Sequence, residues 1–190
     1  MKKIVWLSSI LLLGLTTAQP NPPTPPAPVA PYPHHFAEKA FRELAEAQAR
    51  RAYWQSIRPS QTPAWLAQAD SLLSRAQADL QAQRFFSAKE GAEAAKKAYE
   101  AALALNGWWG PGPAGRGKGG WHGDHFYRAQ ERVWRLEAEM NYFRSNHPAV
   151  RAFLQGAKGL LSAQASPWQA EAAHKLADAG LHVLKAERGF

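Results

Sequence analysis

Two stretches of the sequence share one pattern, RRAYWQSIRPS at residues 50–60 and EMNYFRSNHPA at residues 139–149. Each has two neighbouring aromatic residues, a Ser two positions after the second aromatic, and a Pro three positions after the Ser. The shared positions are Tyr53, Trp54, Ser56 and Pro59 in one stretch and Tyr142, Phe143, Ser145 and Pro148 in the other, at a constant offset of 89. Because Pro disfavours the helical conformation in the residue before it, each stretch predicts a helix end. The repeated pattern indicates an internal duplication.

Apolar residues upstream of both stretches follow the spacing of an amphipathic helix, with alternating steps of three and four residues. In the second copy they are Phe126, Ala129, Val133, Leu136, Met140 and Phe143. At the same offset the first copy has Ala37, Ala40, Leu44, Ala47, Arg51 and Trp54. Only Arg51 interrupts the apolar stripe. Each copy is therefore predicted to begin with a helix that buries one face.

The similarity between the copies continues downstream through two more predicted helices. AWLAQADSLLS at residues 64–74 aligns with AFLQGAKGLLS at residues 152–162, at an offset of 88. A third helix is predicted from about Phe85 to Leu105, and its counterpart, from about Trp168 to Ala186, aligns after a gap of about six residues. No run alternates with a period of two residues. The sequence predicts an all-α helical bundle of six helices, built from two tandem three-helix units, without a sheet.

The first 18 residues predict a secretory signal peptide. Two Lys residues precede an apolar run from Ile4 to Leu15, and Thr16 and Ala18 place small residues where a signal peptidase cleaves. The run is shorter than the roughly 20 residues that a membrane-spanning helix requires. We therefore expect an exported protein, periplasmic or secreted, with no membrane span after cleavage.

The remaining chain divides by composition. Residues 19–33, QPNPPTPPAPVAPYP, predict an extended proline-rich linker, which acts as a spacer or as a docking peptide for an aromatic groove. The first three-helix unit is predicted at residues 34–105 and the second at 123–190. A loop rich in Gly and Trp at residues 106–122 is predicted to join them.

Charge and cysteine content restrict the chemistry of the protein. The chain has no Cys, which excludes disulfides, thiolate metal sites, a lipidated Cys and a Cys nucleophile. Its formal charge is +8, and removal of Lys2 and Lys3 with the signal peptide lowers it to +6. A positive charge of this size favours anionic neighbours such as acidic envelope polymers, lipid head groups or nucleic acid.

The loop NGWWGPGPAGRGKGGWH, residues 106–122, combines Gly and Pro with three Trp and two cations. The Trp side chains either pack on the helical core or present aromatic faces to sugar rings or bases, while the cations approach anionic groups. Three Arg residues share one face of the fourth predicted helix, where they either extend this surface or form ordinary ion pairs with nearby Glu residues. The predicted binding residues are Trp108, Trp109, Arg116, Lys118, Trp121, Arg128, Arg132 and Arg135.

Two short His clusters begin the two predicted units. The sequence HGDH at residues 122–125 supplies two imidazoles and a carboxylate, and His34 and His35 begin the first unit. If the two ends meet, His34, His35, His122, Asp124 and His125 would bind Zn or Cu. Alternatively, Asp124 caps the fourth helix.

No catalytic pattern is present in the sequence. It lacks the Gly-x-Ser-x-Gly and Gly-Lys-Ser/Thr patterns, and the carboxylates Glu43, Glu46, Glu137 and Glu139 are predicted to be ordinary exposed helix positions. We therefore predict a non-catalytic helical binding or scaffold protein, without a cofactor, that contacts an anionic envelope polymer or an envelope protein. The alternatives are a metal- or small-ligand-binding protein outside the cytoplasm and an extracellular nucleic-acid-binding protein.

Overall fold

The computed structural model describes residues 33–57, 59, 61–107, 121–162 and 164–189. These residues form six helices and no strand, so the prediction of an all-α bundle with six helices is confirmed for them. The helices are α1 (Pro33–Ser56), α2 (Leu66–Gln81), α3 (Phe85–Leu105), α4 (Trp121–Tyr142), α5 (Pro148–Leu160) and α6 (Pro167–Arg188). The predicted signal peptide, almost all of the linker and most of the central loop lie outside the described residues.

Local sequence signals explain where the later helices begin and end. Helices α5 and α6 each have Pro at their first position, where the missing N–H has no intrahelical partner to lose. Ser166 and Gln169 form a capping box at the start of α6. Gly189 ends α6 with φ 77°, a left-handed conformation that Gly adopts without strain. The two aromatic stretches also lie at helix ends, since α1 ends at Ser56 and α4 at Tyr142.

Helices α3 and α6 form the centre of the bundle and make the most extensive contact with each other. Helix α3 also packs against α1 and α2, whereas α6 packs against α4 and α5. Buried apolar side chains from all six helices belong to one continuous core within the compact unit formed by residues 32–190. None of the described helices combines the length and the apolar character that a transmembrane segment requires.

Small residues determine how closely the central helices approach. Helices α3 and α6 contribute many fully buried Ala side chains, and Tyr99, Leu103, Leu176 and Leu184 are their largest fully buried side chains. Gly180 of α6 lies against Leu136 of α4, and Gly156 of α5 lies against Trp65, which precedes α2. The core therefore depends on short interhelical distances, in which each added methyl group has a large effect.

Candidate binding surface on helix α4

Exposed aromatic side chains concentrate on α4 and on the turn that follows it. Of the six large apolar side chains that are exposed in the described residues, four lie here: Tyr127, Trp134, Tyr142 and Phe143. Trp134 is 71% exposed and Tyr142 is 81% exposed. Single exposed aromatic residues are common, but a group of them on one element is typical of an interaction surface.

The helical repeat places these aromatic residues beside arginines. Tyr127 and Trp134 are seven residues apart, two helical turns or about 10.5 Å along the axis. Arg128, Arg135 and Tyr142 follow the same spacing in a neighbouring row, and Arg128 and Arg135 are exposed. We define the aromatic-basic surface by Tyr127, Arg128, Trp134, Arg135, Tyr142 and Phe143. Each of its arginines directly follows an aromatic residue, so guanidinium groups and aromatic rings alternate along the helix.

A shallow groove of about 520 Å³ lies at one end of this surface, between the last turns of α4 and α6. The Arg188 guanidinium lies 3.7 Å from the centre of the Phe143 ring, and its Nη2 donates to Oε2 of Glu139 at 3.2 Å. The Tyr142 ring meets the Phe143 ring edge-on, with 4.8 Å between centroids. Phe143 is thereby held from two sides, whereas Tyr142 remains open to solvent.

The three arginines predicted to form one patch have different environments. Nε of Arg132 lies 2.5 Å from Oδ1 of Asp178 on α6, close enough for an ion pair. The N–H group of this nitrogen is not aligned with the carboxylate, so it forms no hydrogen bond. Nε of Arg135 donates to Oε1 of Glu139 at 2.9 Å, as the four-residue spacing predicted, and its side chain is 57% exposed. Arg132 therefore contributes to the contact between α4 and α6, while Arg128 and Arg135 contribute to the exposed surface.

The other predicted binding residues lie mostly outside the described part of the chain. Trp108, Trp109, Arg116 and Lys118 fall in the segment that the structure does not describe. Trp121 is the first residue of α4, seven positions before Arg128, so its register continues the row of Arg128, Arg135 and Tyr142.

The predicted metal ligands occupy the first turns of α1 and α4. His35 is exposed and His125 is half-buried, while the side chains of His34, His122 and Asp124 lie outside the description. Helix α4 begins at Trp121, three residues before Asp124, so the interpretation of Asp124 as its N-cap is wrong. The glycine at position 123 does not interrupt the helix, because it lies in the first turn.

Ion pairs link the buried faces of neighbouring helices. Lys96 of α3 donates to Glu43 and, at 3.1 Å, to Glu46, both on α1. The side chain of Glu43 is only 9% exposed, so the prediction that it occupies an ordinary exposed position is wrong. Its spacing of three residues from Ala40 and four from Ala47 places it on the buried face of α1.

A second set of ion pairs joins α3 to α6 and explains two histidines to which the sequence assigned no role. Lys175 donates to Oε2 of Glu100 at 3.1 Å, and His182 Nδ1 lies 2.6 Å from Oε2 of Glu90. His174 Nε2 lies 3.4 Å from Oδ2 of Asp178 within α6. The partners of His182 on α3 are about 90 residues away in the chain, so no local spacing could indicate them.

These ion pairs predict acid sensitivity. Burial by itself raises the pKa of Glu100, but the positive charges of Lys175 and Lys97 lower it below its ordinary value. Burial also raises the pKa of Asp178, but the hydrogen bond with His174 and the nearby positive charges lower it below its ordinary value. Because both folded-state pKa values are depressed, the stabilisation is present above the unfolded-state pKa values of about 4 and is lost as pH falls through the folded-state values.

We therefore expect the free energy of unfolding to fall progressively below a pH of about 4.5, as measured by urea denaturation at several pH values. The variant Glu100→Gln removes one of these carboxylates, so its free energy of unfolding should change less between neutral and acidic pH than that of the wild type. An identical pH dependence in the two proteins would contradict this assignment.

Comparison with known proteins gives no family for this chain. No family model matches it, and no curated protein or solved structure matches it either. Its function is therefore inferred from its own residues.

Proposed function

We propose that the protein is an exported, non-catalytic binding or scaffold protein of the cell envelope, whose aromatic-basic surface binds an anionic polymer. The observation that carries the proposal is the alternation of exposed rings and guanidinium groups along α4. Aromatic faces stack on sugar rings or bases, and arginines pair with carboxylates or phosphates. The segment at residues 106–122, with Trp108, Trp109, Arg116 and Lys118, extends this surface in the proposal.

The scaffold that presents the surface is proposed to be an internal duplication of a three-helix unit. The sequence alignment pairs α1 with α4 at an offset of 89, and the gap of about six residues reduces the offset to 82 for α3 and α6. Glu43 then corresponds to Arg132, and Lys96 to Asp178. The ion pair between Glu43 and Lys96 and the ion pair between Arg132 and Asp178 thus occupy corresponding positions with reversed charges.

The contact between α3 and α6 supports the same relation. At the offset of 82, Glu93 corresponds to Lys175 and Glu100 corresponds to His182. The two observed pairs are Lys175 with Glu100, at 3.1 Å, and His182 Nε2 with Glu93 Oε1, at 3.5 Å. Replacing each residue by its counterpart in the other unit therefore converts one pair into the other. This relation is expected for an interface close to a two-fold axis. A gap of six residues, within the range that the sequence similarity allows, thus relates both pairs, and this agreement supports the proposed duplication.

The two units differ at the proposed binding surface. The α1 positions that correspond to Tyr127, Trp134 and Arg135 hold Glu38, Ala45 and Glu46. A purely structural role of α4 does not require large aromatic side chains on its solvent face, because exposing them gains no burial. In the proposal the first unit supports the bundle, and the second unit carries the ligand.

A matched pair of variants tests the proposed surface. We expect the double variant Trp134→Ala/Tyr142→Ala to sediment with isolated cell envelopes at least ten times more weakly than the wild type, because each stacked ring contributes about 1 to 3 kcal/mol. The control variant Phe41→Ala/Tyr53→Ala removes the two exposed rings of α1 and should retain wild-type binding. Binding should weaken with added salt, because Arg128 and Arg135 contact anionic groups.

Equal retention of both double variants, or retention that does not change with salt, would contradict the proposal. Addition of single-stranded oligonucleotide distinguishes an envelope polymer from nucleic acid, the second candidate favoured by the same alternation of rings and guanidinium groups. If the oligonucleotide releases the protein, and its own affinity falls with salt at a slope of about −0.7 per phosphate contacted, nucleic acid is the ligand.

A further inference from the structure

Three side chains with metal-binding atoms meet between α3 and α6, apart from the aromatic-basic surface. Glu90 and Glu93 lie three residues apart on α3, and His182 faces them from α6. One potential ligand atom from each of the three lies within 4.8 Å of the others. The closest contacts are 2.6 Å between Glu90 Oε2 and His182 Nδ1 and 3.5 Å between Glu93 Oε1 and His182 Nε2.

The charges around these residues do not balance when the imidazole is neutral. Lys89 Nζ lies 2.6 Å from Oε1 of Glu90 and 3.6 Å from Oε2 of Glu93. The next cation on α3, Lys96, pairs with Glu43 and Glu46 of α1. Two carboxylates therefore share one lysine, which leaves one negative charge. The side chains of Glu90 and His182 are 4% and 14% exposed, so water screens this charge only weakly.

Under the duplication proposed above, the position that corresponds to this cluster has a different balance of charges. There Glu100 lies within ion-pair distance of Arg50, Lys97 and Lys175, and Glu171 shares Lys175. Fixed cations thus compensate the carboxylates around Glu100. At the position of Lys175 the first unit has Glu93, and at the position of Glu100 the second unit has His182. Where one pair has the fixed cation Lys175, the other pair has the carboxylate of Glu93. This difference favours binding of an external cation beside Glu93 and His182.

We propose that Glu90, Glu93 and His182 bind a divalent transition-metal ion of the zinc class. An imidazole binds an ion through one nitrogen, and the one ligand atom that each residue offers lies within 4.8 Å of the other two. Zn bonds of about 2.0 Å in tetrahedral geometry separate ligand atoms by about 3.3 Å, so small side-chain rotations close the site around the ion. Two carboxylates and one imidazole are a ligand set that Zn accepts, and they leave a fourth position for water. Glu93, with 21% of its side chain exposed, lies on the side from which an ion enters. Lys89 has a long flexible side chain and moves its ammonium group towards solvent when the ion arrives.

Calorimetric titration of the full chain with Zn²⁺ tests the site. The His clusters at the starts of α1 and α4 are first removed by the substitutions His34→Gln, His35→Gln, His122→Gln and His125→Gln. The binding that remains then reports on the buried cluster. In this background we expect one ion per chain and a higher unfolding temperature with Zn²⁺, because the ion binds the folded state. His182→Gln and the more exposed substitution Glu93→Gln should each weaken binding at least tenfold.

Two further variants separate metal binding from a structural ion-pair network. Lys89→Met removes the competing cation and should strengthen Zn²⁺ binding several-fold, an effect that a purely structural network does not produce. Glu100→Gln alters the pair with Lys175, outside the proposed site, and should leave the Zn²⁺ affinity within a factor of two. The proposal would be overturned if the variant without the four helix-start histidines did not bind Zn²⁺. It would also be overturned if His182→Gln and Glu93→Gln left Zn²⁺ binding unchanged. Unchanged or weaker binding in Lys89→Met would also overturn it.

Discussion

Replacing Lys96 by Met should lower the free energy of unfolding by up to about 3 to 5 kcal/mol, because the buried carboxylate of Glu43 loses its closest cation and keeps only the exposed Arg42 at 3.4 Å. Lys96 and Glu43 have side chains that are 11% and 9% exposed, and the lysine also reaches Glu46. The pKa of Glu43 reflects the balance: burial raises it, but the hydrogen bond and the charge of Lys96 lower it below its ordinary value. Urea denaturation at neutral pH measures the loss.

An exposed lysine provides the control for this prediction. Lys158 of α5 lies 2.5 Å from Glu137 of α4, with side chains 48% and 38% exposed, so Lys158→Met should change stability by about 1 kcal/mol or less. The double variant Glu43→Gln/Lys96→Met removes both charges and should recover much of the loss. A loss in Lys96→Met no greater than that in Lys158→Met would show that Glu43 is effectively solvated.

The helices could be predicted because their apolar spacing and their end signals agree. The sequence predicts a helix from about Phe85 to Leu105, and α3 has these bounds. The helix predicted from about Trp168 to Ala186 extends over Pro167–Arg188, since Pro167 occupies its first position and Gly189 ends it. Local spacing records which face of a helix is apolar, and this information suffices for helix number and extent.

Side-chain partners across helices could not be predicted in the same way. Glu43 is spaced as a residue of the buried face, but only the position of Lys96, 53 residues later, explains how a carboxylate is tolerated there. Arg51, which interrupts the apolar stripe of α1, donates to Asp70 of α2 at 2.7 Å. The hydroxyl of Tyr99 on α3 donates to the same carboxylate oxygen at 2.6 Å. These partners depend on how the helices are arranged.

Only part of the candidate surface could be predicted from the sequence. The arginine spacing identified Arg128 and Arg135 but did not separate them from Arg132, because all three lie on the same side of the helix. Trp134 was missed, although a signal was present: it follows Val133 of the apolar stripe, and the next position on a helix points about 100° away. A large aromatic residue next to a buried stripe therefore indicates either a partner helix or an exposed binding residue, and the structure shows that Trp134 is exposed.

Gly180 is a position where a single added methyl group should have a large effect. A Cβ atom at Gly180 would lie 2.6 Å from Cδ2 and 2.8 Å from Cδ1 of Leu136, which is fully buried. Neither methyl group of the leucine has free space to enter, because the core is closely packed. We expect Gly180→Ala to be about 1 to 3 kcal/mol less stable than Gly159→Ala, which gains the same helix propensity and meets nothing within 4 Å.

A compensating substitution shows whether the clash with Leu136 causes this difference. Leu136→Val removes volume and should destabilise the wild type by creating a cavity. In the Gly180→Ala background the new methyl group fills part of that space, so the same substitution should be less damaging there. Urea denaturation of the two single variants and the double variant gives the coupling between the positions. Additive losses would mean that α4 and α6 move apart to accommodate the methyl group. A favourable coupling of 1 kcal/mol or more would instead show that the contact between Gly180 and Leu136 fixes the distance at which α6 carries the proposed binding helix.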